Sequence, residues 1–145
     1  DQALTNILLE GVTKRFARIR ARAKRLRLGM RKLNLEFEIA EADMCSILTT
    51  VKVPPSVSVR DLRDRLREKS IIIYEGKGSY AGKVFQVGNI GELSDQDIRY
   101  FLKSLREVLL TLQGEGADLA APLKTKVSNL VLLPNLSTSF EGAGL

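Results

Sequence analysis

Apolar side chains at Leu4, Leu8, Val12, Phe16, Ile19, Ala23, Leu26, Met30 and Leu33 recur in steps of three and four. That period places them on one face of a long helix over 3–33. Gly11 and Gly29 fall inside it, each costing about 1 kcal/mol relative to alanine in a helix interior. A kink or a close approach is expected at these two positions. Over 45–53 the period becomes two: Cys45, Ile47, Thr49, Val51 and Val53 alternate with Ser46, Leu48, Thr50 and Lys52. This predicts a strand, ended by Pro54 and Pro55.

Ser58 and Asp61 then have the spacing of a capping box, and Val59, Leu62 and Leu66 give the buried face of a short helix. A second strand is expected over 71–74, a turn at Gly76, Gly78 and Gly82, and a third strand over 84–87. Ser94 and Asp97 repeat the capping box ahead of Ile98, Phe101, Leu105, Val108 and Leu112, again in helical steps. The order predicts an α+β fold: a long N-terminal helix and a small, mainly antiparallel sheet of about three strands backed by helices. After Gln113 the pattern weakens into glycines, prolines and one apolar run over 127–133. Residues 113–145 are left as an unassigned C-terminal extension of a domain spanning 1–112, with the connecting helix over 1–33 and the sheet and helices over 45–112.

Composition narrows the chemistry. The chain has 145 residues, 44% hydrophobic and 28% charged, the size and balance of one globular domain. It has no histidine and one cysteine, Cys45. A His-based triad, a His-ligated metal and a four-ligand structural zinc site are thereby excluded. A cysteine nucleophile would lack its usual base. One cysteine and no secretory leader point to a reducing cytoplasm, and no apolar run is long enough to span a membrane. A first residue of Asp1 rather than methionine points to a processed chain or a piece of a longer one.

Charge is unevenly placed. Residues 14–32 hold ten Lys or Arg and no acid, whereas the whole chain is +6, so the remainder stands at −4. Such a helix can face nucleic acid or an anionic membrane, but the aromatic interleaving of a nucleic-acid surface is missing. A solvated face, or one meeting an acidic surface, is the simpler expectation. Gly76-Lys77-Gly78 and Gly88-Asn89-Ile90-Gly91 lack the spacing of phosphate-binding fingerprints and read as turns. Glu36, Glu38, Glu41 and Asp43 read as a solvated connection rather than a metal or paired-carboxylate site.

Two stretches resemble a known family. LREKSIIIYEGKGSYAGKVFQVGNIGELSDQDIRYFLKSLREVL, residues 66–109, is similar to the carboxy-terminal small domain of class V pyridoxal-phosphate (PLP) aminotransferases. Within that class it looks most like the 2-aminoethylphosphonate:pyruvate and the alanine or serine:glyoxylate transaminases. EGVTKRFARIRARAKRLRLGMRKLNL, residues 10–35, looks like the helix leading from the large domain into the small one.

The resemblance implies a division of labour. The large domain supplies the Schiff-base lysine, the acid at the pyridine nitrogen and the ring-stacking side chain, so no catalytic or cofactor-binding residue is expected in this chain. The small domain closes over the substrate and contributes an arginine from the strand before the Gly-x-x-Gly turn. Here that position is Gln86, a neutral amide where the family has a bidentate cation. Three explanations stand open: a substrate with a different anionic group, replacement by a cation such as Lys77 or Lys83, or loss of transaminase activity. The implied partners are a large domain, the second subunit of a homodimer and a small-molecule substrate. If the large domain is absent, the apolar stripe over 4–33 lacks a cover and self-association is expected. The reading from a different class is a non-catalytic domain that binds a partner protein or nucleic acid through residues 14–32.

Overall fold

The computed structural model describes residues 2–117. Helix α1 (Gln2–Glu10) and helix α2 (Val12–Lys32) lead to strand β1 (Leu48–Lys52). Helix α3 (Val59–Glu68), strand β2 (Tyr74–Glu75), a 3-10 turn (Gly78–Tyr80), strand β3 (Val84–Gly88) and helix α4 (Asp95–Ala117) follow. The strands form one antiparallel sheet in the order β1-β3-β2.

The long helix is divided at Gly11. Its φ of 81° is left-handed backbone that glycine adopts without a Cβ penalty, and it caps the N-terminus of α2. Gly29 is the close approach: a Cβ there would lie 2.2 Å from Leu102 Cδ1, where α2 crosses α4. The apolar stripe divides in the same way. Ala23, Leu26 and Met30 are buried, whereas Leu4, Leu8, Val12 and Phe16 are all more than half exposed.

Two helices end in the same manner. Past the C-cap of α2, Asn34 has φ 58°, its amide donates to Arg31 O and the next amide, Leu35, donates to Met30 O. At the end of α3, Ser70 has φ 59°, with Ser70 N donating to Arg67 O and Ile71 N to Leu66 O. Both are Schellman closures, which satisfy the orphan carbonyls of the last turn. The second fixes where β2 can begin.

That closure corrects the expected second strand. Ile71, Ile72 and Ile73 do not pair; Ile73 packs into the core, and the ladder starts only at Tyr74. The first strand is also shorter than 45–53. Cys45, Ser46 and Ile47 form the approach to it, where the Arg27 guanidinium takes the Cys45 carbonyl, and Val53 follows it, its N–H donating to Lys83 O in continuation of the β1–β3 register. The third strand extends by one residue, to Gly88. Helix α4 runs to Ala117, past the expected end near Leu112. The rest of the expected extension, residues 118–145, lies outside the described residues.

Residues 36–38 add a short segment beside β1: Lys52 N donates to Glu36 O, Glu38 N to Thr50 O, and Phe37 bridges Val51. The core lies on one face of the sheet. Val51, Phe85 and Val87 meet Leu26 and Met30 of α2, Leu62 and Leu66 of α3, and Leu105 and Val108 of α4. Each fully buried Leu or Phe there contributes about 1.5–3 kcal/mol relative to exposure. The other face of the sheet is left to Gln86 and its neighbours.

Candidate functional site

Strand alternation fixes the direction of Gln86. Phe85 and Val87 enter the core, so Gln86 faces the opposite way. Its register partners are Thr50 on β1 and Tyr74 on β2, and residues directly opposite across antiparallel strands share a face. The result is a row of three polar side chains across the sheet. Gln86 Nε2 lies 3.5 Å from Thr50 Oγ1, a long contact that leaves the rest of the amide available. Tyr74 is 65% exposed at the open edge.

Lys52 lies on the same face, two residues along β1 from Thr50. That is about 7 Å of extended backbone, and its nearest acid, Glu36, is 3.8 Å away. Lys77, the sequence candidate, caps the 3-10 turn and is exposed. It stands three residues past Tyr74, about 10 Å along the chain. Lys83 is also exposed. Of these three lysines, Lys52 is the one that strand alternation and register place on the Gln86 face, which alternation alone does not reveal because it does not say which strands are neighbours.

The turn after β3 is held from behind by α2. Asn89 is buried: its amide N–H donates to Ile47 O at 3.1 Å and its Nδ2 to Ile19 O at 3.3 Å. Its Oδ1 is buried without a partner among the described residues. Gly91, with φ 102°, supplies the left-handed step of the turn. Arg22 donates to Gly91 O at 2.7 Å. Arg18 reaches Glu92 at 3.4 Å on one side and Glu10 at 2.6 Å on the other.

The basic helix is thus engaged within the domain. Arg15 and Arg18 meet Glu10, Arg25 meets Asp95 and Arg31 meets Glu41. Arg27 is buried and donates to Thr49 Oγ1, Cys45 O and Leu48 O. The Arg18 hydrogen bond and the nearby guanidinium charges hold the Glu10 carboxyl below its usual range and outweigh desolvation. The same hydrogen bond, from the other side, raises Arg18. At the start of α4 the capping box forms in both directions: Ser94 N and Oγ each donate to Asp97 Oδ2 at 2.7 Å, and Asp97 N donates to Ser94 Oγ. Those bonds lower the Asp97 carboxyl.

Thr50, Gln86 and Tyr74 offer an amide and two hydroxyls. Such groups can bound and orient one side of a polar ligand. They do not fit PLP itself, which needs a Schiff-base amine, an acid at its ring nitrogen and a cup for its phosphate.

No family model matches the chain. Over 111 residues it is 32% identical to the 2-aminoethylphosphonate–pyruvate transaminase of Syntrophobacter fumaroxidans, covering 74% of this chain and 30% of that enzyme. Over 116 residues it is 31% identical to the enzyme of the same name from Vibrio cholerae, covering 78% and 31%. The chain spans about a third of the length of these curated relatives. In structure it superposes on the alanine–glyoxylate aminotransferase of a Nostoc species with a TM-score of 0.72 and 27% identity, covering 74% of this chain and 29% of that one. Likeness in sequence and likeness in fold thus agree, and the chain is identified as an aminotransferase-like small domain of the class V pyridoxal-phosphate type.

Proposed function

We propose that this chain is the small-domain portion of a PLP-dependent aminotransferase, acting on a small amino acid or aminophosphonate with a 2-oxo acid as acceptor. It works with a large domain that carries the cofactor, within a homodimer, and is inactive without that domain. The observation that carries the reading is the polar row of buried Thr50, half-buried Gln86 and exposed Tyr74, at the strand position where the family places its substrate arginine. PLP, held by the large domain, supplies the electron sink. This chain's residues bound the substrate: Gln86 and the hydroxyls beside it hydrogen-bond the polar end, and Lys52 or Lys77 supplies the positive charge that the amide lacks. Closure of the domain excludes water from the site. Exposed, unpaired Cys45 fits a reducing cytoplasm.

The interaction-domain reading has less support, because Arg15, Arg18, Arg25 and Arg31 already meet carboxylates of the same domain. The test joins the chain to a class V large domain and measures transamination across amino donors. Activity is expected from the joined protein and not from the chain alone. Gln86→Arg should shift preference toward substrates with a carboxylate at that end by about tenfold, the worth of one charge-assisted pair. A joined, PLP-loaded protein with no transaminase activity would overturn the reading; unchanged preference in Gln86→Arg would remove Gln86 from the substrate.

A further inference from the structure

Arg27 is 6% exposed, and every acceptor it meets is neutral: one hydroxyl and two carbonyls. Buried charges are normally paired with an opposite charge. Among the described residues no carboxylate pairs with Arg27. It lines a cleft of about 380 Å³ between α2 and the 41–46 segment, within the range of small-molecule sites, together with Arg20, Lys24, Glu41 and Ser46.

Arg20, Lys24 and Arg27 are spaced by four and three residues, so they share one helix face. Arg20 lies over the Phe16 ring at 5.0 Å, which holds the guanidinium plane while its N–H edge remains free. Neither Arg20 nor Lys24 has an ion pair among the described residues. Glu41 is taken by Arg31, so the wall retains an excess of positive charge. Ala21, Ala23 and Ala42 supply short side chains that keep the cleft open. Arg27 bonds Thr49, on the core side of the sheet, so the cleft is separate from the Gln86 face.

We infer that this cleft binds a dianionic tetrahedral oxyanion, a phosphate or phosphonate group, which supplies the counter-charge that Arg27 lacks. One carboxylate would be satisfied by one guanidinium fork. Two charges and three terminal oxygens match the guanidinium edge of Arg20, the one Arg27 nitrogen, Nη1, that is not donating to Thr49, Cys45 or Leu48, the Lys24 ammonium and the Ser46 hydroxyl. The site does not depend on transaminase activity, and its failure would leave that reading untouched.

The test is calorimetric titration of the full chain, at matched ionic strength, with inorganic phosphate, glycerol 3-phosphate and acetate. Binding of either phosphate compound and not of acetate is expected. A preference for the ester would indicate an organic phosphate as the occupant, and equal binding would indicate phosphate itself. The double variant Arg20→Ala/Lys24→Ala, both exposed positions, should weaken binding by about tenfold or more. Lys14→Ala/Lys32→Ala removes the same charge elsewhere on the helix and should leave the affinity unchanged. Equal loss in both variants, equal binding of acetate, or no binding would overturn the proposal. Tight binding of an oligonucleotide that is lost in both variants would make the helix a nucleic-acid surface instead.

Discussion

Gln86 and Thr50 are register partners across β1 and β3, with the Gln86 amide nitrogen 3.5 Å from the Thr50 hydroxyl on the face of the sheet opposite the core. Thr50 is buried and Gln86 half-buried, so a longer side chain at residue 86 must extend past Thr50 toward exposed Tyr74 at the sheet edge. Gln86→Arg should change stability by less than about 0.5 kcal/mol. Urea unfolding of the two proteins measures this; a loss of several times that value would place Gln86 in a packed environment and end its role as a substrate-facing residue.

Arg27 fastens the approach to β1 onto α2. Arg27→Met keeps much of the side-chain volume but leaves the Thr49 hydroxyl and the Cys45 and Leu48 carbonyls without their donor. Stranded buried acceptors cost about 1–3 kcal/mol each, less where water can enter. The expected loss is about 2–4 kcal/mol by urea unfolding, and protection from amide hydrogen exchange should fall first at residues 48–50.

Gly76 has no room for a side chain. A Cβ would sit 2.5 Å from Val84 Cγ2 and 2.6 Å from the Tyr80 carbonyl oxygen, and the second of these is backbone that cannot rotate away. Gly76→Ala should cost about 1–3 kcal/mol, as overpacking does. A thermal midpoint at or above that of the parent would show that the 76–83 hairpin has slack.

Acid should loosen the Glu10 pairing with the basic helix and the Ser94–Asp97 cap of α4. Glu10 and Asp97 titrate below their ordinary values of 4.5 and 3.8 in the folded protein. The stability they contribute is complete above those values and is lost as pH falls through the lowered ones. Thermal midpoints should therefore drop below about pH 4, and Glu10→Gln together with Asp97→Asn should flatten that limb. An unchanged limb would assign the acid response to other carboxylates. Separately, Ser94→Ala should cost about 1 kcal/mol at neutral pH through loss of the helix cap.

Periodicity revealed the helices and the existence of β3, because those signals depend on neighbours a few residues apart, whereas the face taken by Gln86 came only with the register of the sheet. The Gly11 break was legible as a cost but not as a left-handed turn. The second strand was misplaced because three β-branched isoleucines look like a strand, while Ser70 in left-handed backbone ties Ile71 back to Leu66. Charge pairing was invisible for a different reason. Arg18 and Glu92 are 74 residues apart and Arg22 and Gly91 are 69 apart, so no local pattern announces them, and a solvated face or one meeting an acidic surface was expected without the partners being named.

Arg18 stands between two attachments. On one side it grips Glu10, the last residue of α1, and on the other Glu92, four residues beyond the end of β3. The backbone between α1 and α2 bends at Gly11, a residue without a side chain, whose N–H donates to Ile7 O and whose carbonyl accepts from Arg15 N. One guanidinium therefore links the end of α1 to the turn that follows β3. The last residue of α1 and the turn after β3, far apart in sequence, are thus fastened to one side chain at the surface, outside the core.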